Sequence, residues 1–242
     1  MIESLSLLGI RNLSAESFEL LNSKSINFVD LSPSTMGIDL STDRLNIKTI
    51  AVLQDYLFSW DISLNAVQGI FFGLDAADSC FSNRVERRLQ SICDAMDVLS
   101  CENIYVGAPN LRRSAEWARV VERTFQIAEA RNKRVIVENI CLDPCSQDLL
   151  QHYAGLDSMN LENICVDISN FTECAQMSEI FDELFVWAEY VHLSGKNHAL
   201  PTEIDVCFTE KQTVAQEMNK CITYEFLGYE LAELAGFFDK QT

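Results

Sequence analysis

Eight short runs rich in apolar and β-branched residues recur along the chain, and they constrain its fold more than any other feature. The longer stretches between them include Arg84–Leu99 and Ala115–Ala130, which carry apolar residues at helical spacing. Strands that alternate with helices predict βαβ units and a parallel sheet. The eight runs are LSLLGI, SINFVDL, AVQGIFFGL, NIYVGA, RVIVEN, NICVDIS, YVHLSG and CITYEFL.

The number of runs and the length of the chain together favour a closed barrel. Eight βα units in 242 residues match a (β/α)8 barrel, which typically takes about 250 residues. The alternative is an open doubly wound sheet, which usually has a glycine-rich turn after its first strand. No GxGxxG or GxxxxGK(S/T) motif follows LSLLGI. We therefore predict a single α/β TIM-barrel domain over residues 1–242, and we allow for one degenerate or irregular βα unit.

Charge and cysteine content narrow the class of partner and the compartment. The chain has 36 acidic and 18 basic residues, a formal charge of −18, which repels nucleic acid and anionic membranes. Its nine cysteines form no CxxC pair, which is typical of reduced core thiols, and Cys141 and Cys145 lack partners at zinc-site spacing. Neither a signal peptide nor a membrane-spanning apolar run is evident. We expect a soluble cytoplasmic protein that binds neither nucleic acid nor membrane.

Four consecutive strand candidates in the second half end in a side chain that can bind a metal. The four residues are Glu138, Asp167, His192 and Glu225. They are spaced by roughly one βαβ step, about 30 residues. In a barrel the carboxyl ends of the strands meet at one mouth, so these side chains could converge there.

Three carboxylates and one imidazole suit a divalent cation. Oxygen-rich ligation favours Mn²⁺ or Mg²⁺, with Co²⁺ or Zn²⁺ as alternatives. A cation that chelates a hydroxyl and a neighbouring carbonyl acidifies the C–H between them, and glutamates beside it can remove and return that proton. Singly, each residue has a plainer interpretation: a carboxylate at a strand end can cap a helix or face solvent, and a lone histidine can be a hydrogen-bonded core residue.

The order of motifs along the chain resembles the xylose isomerase-like TIM-barrel superfamily of sugar phosphate isomerases and epimerases. NFVDLSPST is similar to that group's second-strand segment, and VQGIFFGLDAADSCFSN to its third-strand motif. IYVGAPNLRR resembles a fourth-strand GSPxxR motif, with Gly107, Pro109 and Arg112 at its fixed positions. VIVENI, CVDIS, YVHLSG and TYEFL fall on the metal-bearing strands. No single motif is specific, but their order is.

The resemblance implies roles for particular residues. Glu138 and Glu225 match glutamates that both bind metal and exchange the proton in ketose 3-epimerases, while Asp167 and His192 match the other ligands. Arg112 could hold a substrate anion or be a surface or salt-bridged residue, and either Lys196 or His198 could match a basic substrate contact. The positions expected to contact substrate are Arg112, Asn170, Lys196 and His198.

Two positions depart from the epimerase pattern. Asn170 stands where epimerases commonly have a histidine, and Pro144 stands where they have a second glutamate. The substrate could therefore differ from free ketohexoses. An endonuclease IV-type activity is excluded by the three histidines and the acidic composition.

The leading prediction is a divalent-metal-dependent isomerase or epimerase that acts on a sugar, sugar phosphate or related hydroxy-carbonyl compound through an enediolate. Its partner would be a small-molecule carbohydrate, and the chain could also form a homo-oligomer. One alternative is a metal-dependent dehydratase or lyase on the same barrel. Another is a catalytically inactive barrel that binds sugar or a protein partner.

Overall fold

The structure is a computed structural model that describes residues 2–8, 10, 13–75, 78–107, 115–138, 164–170, 185–186, 188–195, 198–201 and 206–238. Its helices, in chain order, are α1 (Ala15–Ser23), α2 (Ile47–Ser59), α3 (Phe81–Leu99), α4 (Ala115–Ala130), α5 (Val206–Glu217) and α6 (Leu231–Phe238). The helical spacing at Arg84–Leu99 and Ala115–Ala130 is confirmed by α3 and α4. In the described part of the chain, no helix is long and apolar enough to cross a membrane.

Eight parallel strands close into a barrel, which confirms the predicted (β/α)8 fold. The barrel strands are β1 (Glu3–Ser6), β2 (Phe28–Leu31), β5 (Ser63–Val67), β6 (Asn103–Val106), β7 (Arg134–Glu138), β8 (Ile164–Asp167), β9 (Tyr190–Leu193) and β10 (Cys221–Tyr224). Their order around the barrel is β1-β10-β9-β8-β7-β6-β5-β2, and each neighbouring pair is parallel. That all 242 residues form one domain stays a prediction.

Alternation along each strand separates two apolar layers. Residues such as Ile104, Val106, Val135 and Val137 belong to the large cluster that the helices cover. The side chains between them point into the barrel, because successive residues of a strand face opposite sides. A second cluster fills the barrel, and it consists of Ala66, Tyr105, Ile136, Cys165, Tyr190 and Cys221. Among the described residues the barrel interior is therefore packed, so a ligand would bind at its mouth.

One side of the barrel interior is polar and surrounds the fully buried Asp30. Asn65 Nδ2 donates to Asp30 Oδ1 at 2.8 Å, and Thr223 Oγ1 donates to Asp30 Oδ2 at 2.7 Å. Ser4 Oγ lies 2.8 Å from Thr223 Oγ1 and extends the network. Burial nevertheless raises the pKa of Asp30 from 3.8 to about 6, because it outweighs the hydrogen bonds from Thr223 and Asn65.

A small hairpin, β3 (Ile38–Asp39) with β4 (Arg44–Leu45), follows the second barrel strand and is clamped to α3. The clamp is the buried pair Arg88 and Asp43, whose Nη2 and Oδ1 atoms lie 2.6 Å apart. Arg88 Nη1 also donates to the carbonyl oxygens of Ile70 and Phe72 in the loop after β5. One guanidinium thus ties two βα connections to the helix layer.

The third barrel strand lies earlier in the chain than predicted. The run AVQGIFFGL begins at Ala66, whereas β5 covers Ser63–Val67. Gly69 and Gly73 adopt positive φ angles of 66° and 69°, which turn the chain away from the sheet. The positive φ angle of Gly69 favours glycine, and a Cβ atom there would also lie 2.9 Å from a methyl carbon of Leu8 and displace that side chain.

Candidate active site at the barrel mouth

Adjacent strands bring the four predicted ligands to one rim of the barrel. Glu138 and Asp167 are the last residues of β7 and β8, His192 lies in β9, and Glu225 directly follows β10. Asp167 pairs in register with His192. The backbone N–H of Glu225 donates to the Leu193 carbonyl at 3.0 Å, which extends the β9–β10 ladder to this residue.

Two glutamates face the same nitrogen of His192. The Nδ1 atom lies 3.2 Å from Glu138 Oε1 and 3.1 Å from Glu225 Oε2. Only the first distance corresponds to a hydrogen bond, because a ring nitrogen carries at most one proton and that proton can point at one carboxylate. Tyr105 packs edge-on against the imidazole, with ring centroids 4.6 Å apart, and fixes its orientation from inside the barrel.

Asp167 belongs to a neighbouring group with Ser169 and His198. Both Asp167 oxygens accept hydrogen bonds from Ser169, from its N–H at 2.8 Å and from its hydroxyl at 3.0 Å. The Ser169 hydroxyl also lies 2.9 Å from His198 Nε2. His198 Nε2 is 3.7 Å from Asp167 Oδ2, and its Nδ1 is 3.7 Å from Glu225 Oε2.

The ligand-type side chains therefore form two clusters that share one residue. The first, which we call the His192 cluster, consists of Glu138, His192 and Glu225. The second, the His198 cluster, consists of Asp167, His198 and Glu225. In each cluster one ligand atom per residue lies within 4.8 Å of the others, a separation that a single cation can bridge.

Burial and mutual repulsion shape the protonation of these groups. Asp167 is fully buried, and burial together with the charges of Glu138 and Glu225 raises its pKa well above the usual value. Burial also acts to raise the pKa of Glu225, but the adjacent His192 outweighs it and the pKa is lowered. Burial acts to lower the pKa of His192, but neighbouring groups, Glu138 among them, raise it well above its usual value. Positive charge at this rim, from a protonated His192 or from a bound cation, therefore offsets the repulsion between the carboxylates.

The donor set fits a divalent cation. Glu225 Oε2 and His192 Nε2 are buried and have no hydrogen-bond partner in the part of the chain that the structure describes. A buried carboxylate oxygen without a partner is costly, whereas a cation beside it would satisfy that oxygen and offset the repulsion. Carboxylate oxygens with an imidazole nitrogen are ligands for Mn²⁺, Co²⁺ or Zn²⁺, and oxygen-rich sites also suit Mg²⁺.

The predicted substrate-contact residues divide between the mouth and the residues that the structure does not describe. His198 lies at the mouth, with 23% of its side chain exposed. The backbone of Asn170 ends the short 3₁₀ helix after β8, but its side chain is not among the described parts. Arg112, Lys196 and the departing position Pro144 lie outside the described residues. Their predicted roles stay predictions.

Two residues of the site were not predicted from the sequence. Ser169 lies two positions after Asp167, the spacing at which an aspartate accepts hydrogen bonds from the backbone and hydroxyl that follow it. The sequence DIS was therefore enough to predict Ser169 as a hydrogen-bond donor to Asp167. Tyr105 lies inside the fourth predicted strand run, where nothing in the sequence distinguishes a ring packed on a ligand from an ordinary core ring.

Comparisons with known proteins agree with the barrel. No protein-family model and no curated protein sequence matches the chain. Among solved structures, AsbF of Bacillus anthracis, a probable 3-DHS dehydratase involved in petrobactin synthesis, superposes with a TM-score of 0.70 at 13% identity, covering 100% of this chain and 98% of that one.

Two further solved structures cover nearly the whole chain. The D-allulose 3-epimerase of Methylomonas sp. has a TM-score of 0.70 at 13% identity and covers 100% of this chain and 96% of that one. An AP endonuclease, family 2, of Brucella melitensis has a TM-score of 0.66 at 15% identity and covers 98% of this chain and 96% of that one. At these identities the likeness shows the fold alone, a (β/α)8 barrel.

Proposed function

We propose that this chain is a divalent-metal-dependent isomerase or epimerase that moves a proton on a sugar, sugar phosphate or related hydroxy-carbonyl compound. The observation that carries the proposal is the placement of Glu138 and Glu225 within 3.2 Å and 3.1 Å of one nitrogen of His192. Two carboxylates beside one ligand nitrogen give a cation site that has a candidate base and a candidate acid next to it.

Glu138, His192 and Glu225 would hold the cation, and Asp167 is the fourth candidate ligand. When bound, such a cation supplies positive charge to two neighbouring substrate oxygens and so acidifies the C–H bond between them. The fold supports this assignment, because active sites of TIM barrels are built where strands end at the carboxyl rim. Solved structures with the same fold include sugar epimerases, which supports a carbohydrate substrate.

The two glutamates differ in exposure, which assigns them different tasks. The Glu138 side chain is 17% exposed and that of Glu225 is 6% exposed. Glu138 can therefore take the proton that it delivers to substrate directly from solvent, while the proton that Glu225 takes from substrate leaves for solvent more slowly, before the next turnover. His198, whose ring nitrogens lie 3.7 Å from Asp167 Oδ2 and 3.7 Å from Glu225 Oε2, would donate a hydrogen bond to a substrate oxygen.

Solvent deuterium exchange tests the proposal across a whole class of sugars at once. The Mn²⁺-loaded protein is incubated in D₂O with ketohexoses, ketopentoses and their phosphates, and the sugars are examined by proton NMR and mass spectrometry. Deuterium at the carbon next to a carbonyl, together with a new stereoisomer or positional isomer, is expected for at least one sugar. Glu138→Gln and Glu225→Gln should abolish this incorporation while the far-ultraviolet circular dichroism stays unchanged.

Glu217→Gln is the matched control, since Glu217 is an exposed residue of α5 and should leave exchange unaffected. Full exchange in both Glu138→Gln and Glu225→Gln would refute the proposal.

A dehydratase is the second candidate, and the same experiment distinguishes it. The likeness to AsbF equals that to the allulose epimerase, with a TM-score of 0.70 for each. A dehydratase also begins by removing a proton next to a carbonyl, but it then expels a β-hydroxyl. A product that is lighter than the substrate by one water, instead of a deuterated isomer, would assign this reaction. No reaction and no bound metal would instead favour an inactive sugar-binding or partner-binding barrel.

A further inference from the structure

The outer face of α2 carries a row of exposed apolar side chains. The row, which we call the α2 row, consists of Ile47, Ala51 and Phe58. Ile47 is 77% exposed, and Phe58, at 89%, is the most exposed large apolar residue among those that the structure describes. A helix on the surface of a globular protein normally has polar residues opposite its buried stripe. Exposed apolar residues that lie together, rather than scattered singly, mark a contact with another molecule.

The α2 row has the spacing of a coiled-coil seam. With Gln54 it follows intervals of four, three and four residues, which is the alternation of a and d positions in a heptad. Gln54 Nε2 donates to the Val98 carbonyl at 2.7 Å, so this side chain is held against α3. The residues that α2 buries against the barrel are a different set, Ile50, Leu53 and Leu57. The helix therefore has a second apolar face, which the described part of the chain leaves uncovered.

Two α2 rows are complementary to each other when the helices are antiparallel. The intervals of four, three and four residues are the same in both directions, so an antiparallel helix places Phe58 opposite Ile47. A twofold axis makes this contact twice, because each residue meets in the second copy the residue that meets it. Ala51 lies between the two contacts, where its small side chain lets the helices approach closely. Both large exposed side chains of each copy are covered in this way.

Two exposed charges beside the α2 row favour the same direction. Lys48 and Asp55 lie seven residues apart on α2, which is about 10.5 Å along the axis, too far for them to pair with each other. In an antiparallel pair each Lys48 lies beside Asp55 of the second copy, whereas a parallel pair would bring like charges together. Exposed pairs contribute little stability. These charges therefore set the direction of packing, and the apolar row supplies the affinity.

We propose that the α2 row is the contact through which two copies of this chain form a twofold-symmetric dimer, with α2 antiparallel to its counterpart. The formal charge of −18 on each copy opposes association. At about 0.15 M salt, however, exposed charges that lie more than about 8 Å apart are largely screened, while the apolar contact is unaffected. Because α2 belongs to the helix layer outside the barrel wall, the dimer is independent of the proposed function.

Sedimentation of the full chain at about 0.15 M NaCl, over a wide range of protein concentration, tests the dimer. The wild type should sediment as a dimer that dissociates on dilution. Phe58→Asp should be a monomer at every concentration, and so should Ile47→Glu, which keeps α2 intact because an acidic residue suits the first turn of a helix. Val186→Asp, at an apolar residue that is 53% exposed elsewhere on the surface, is the matched control and should stay dimeric. Circular dichroism checks the fold of each variant.

A charge exchange tests the antiparallel direction. Lys48→Asp places two carboxylates together at each end of the contact and should raise the dissociation constant of the dimer by about tenfold or more. Adding Asp55→Lys to that variant should restore the dimer. A wild type that is monomeric at every concentration would overturn the proposal and leave the α2 row to a different partner. A dimer that persists in both Phe58→Asp and Ile47→Glu would overturn the assignment of this face, and a charge exchange that does not restore the dimer would overturn the antiparallel direction.

Discussion

The buried carboxylate of Asp30 makes the barrel sensitive to pH, and Asp30→Asn should remove that sensitivity. Asp30 is inaccessible to solvent inside the barrel and accepts hydrogen bonds from Asn65 and Thr223. An asparagine keeps the shape and one acceptor oxygen. Its amide can donate to Thr223 Oγ1, because the Thr223 hydroxyl can turn and donate to Ser4 instead.

The magnitude follows from the raised pKa. Burial raises the pKa of Asp30 from 3.8 to about 6, which corresponds to a penalty of about 3 kcal/mol for ionising it in the folded protein, at about 1.36 kcal/mol per pKa unit. Between these two pH values the native state binds a proton that the unfolded state has lost. The contribution of Asp30 is therefore most favourable below pH 3.8, falls as the pH rises to about 6, and stays low above it.

Urea unfolding, followed by circular dichroism between about pH 4 and 8, measures the effect. The free energy of unfolding of Asp30→Asn should be close to that of wild type near pH 4 and exceed it by up to about 3 kcal/mol at pH 8. Asp55→Asn, a change at an exposed position of α2, is the matched control for loss of a negative charge. A difference between Asp30→Asn and wild type that does not grow with pH would refute the reasoning.

Three further perturbations have defined outcomes. Arg88→Ala removes one of the two guanidinium groups that pair with the buried Asp43 carboxylate, which keeps Arg84 Nε at 2.8 Å, and it leaves the carbonyl oxygens of Ile70 and Phe72 without this donor. The free energy of unfolding should fall by about 1–3 kcal/mol, whereas Arg123→Ala, which removes an exposed pair with Glu86, should cost at most about 1 kcal/mol in the same urea experiment. Tyr105→Phe removes a buried hydroxyl that has no partner among the described residues, so stability should be unchanged or raised by up to about 1–3 kcal/mol; a clear loss would show that the hydroxyl is satisfied. Mn²⁺ at about 100 times its dissociation constant should raise the free energy of unfolding by about 2.7 kcal/mol, and EDTA should reverse this; an unchanged denaturation curve would speak against binding to the native state.

The barrel and the location of the mouth could be predicted from the sequence because both depend on short-range patterns. Buried parallel strands have continuous apolar sequences, and RVIVEN, NICVDIS, YVHLSG and CITYEFL each break that pattern at or next to the strand end. A polar residue at such a break must leave the barrel wall at its carboxyl rim. This is why Glu138, Asp167, His192 and Glu225 could be selected together.

The grouping of those ligands could not be predicted, because it depends on side-chain direction rather than position along a strand. Asp167 turns toward Ser169 and toward His198, which lies beyond β9 and has a φ angle of 56°. The polar network around Asp30 was not predicted for a similar reason. Asp30 stands in the run SINFVDL as a strand-end carboxylate would, yet its side chain points into the barrel toward Asn65 and Thr223.

The central claim is that Glu138, His192 and Glu225 bind a catalytic cation at the barrel mouth, and anomalous scattering from crystals soaked in Mn²⁺ tests it most directly. We predict a manganese peak at about 2.0–2.3 Å from His192 Nδ1 and from a carboxylate oxygen of both glutamates. A manganese peak that contacts none of these three residues, or the absence of any peak at saturating Mn²⁺, would contradict the account.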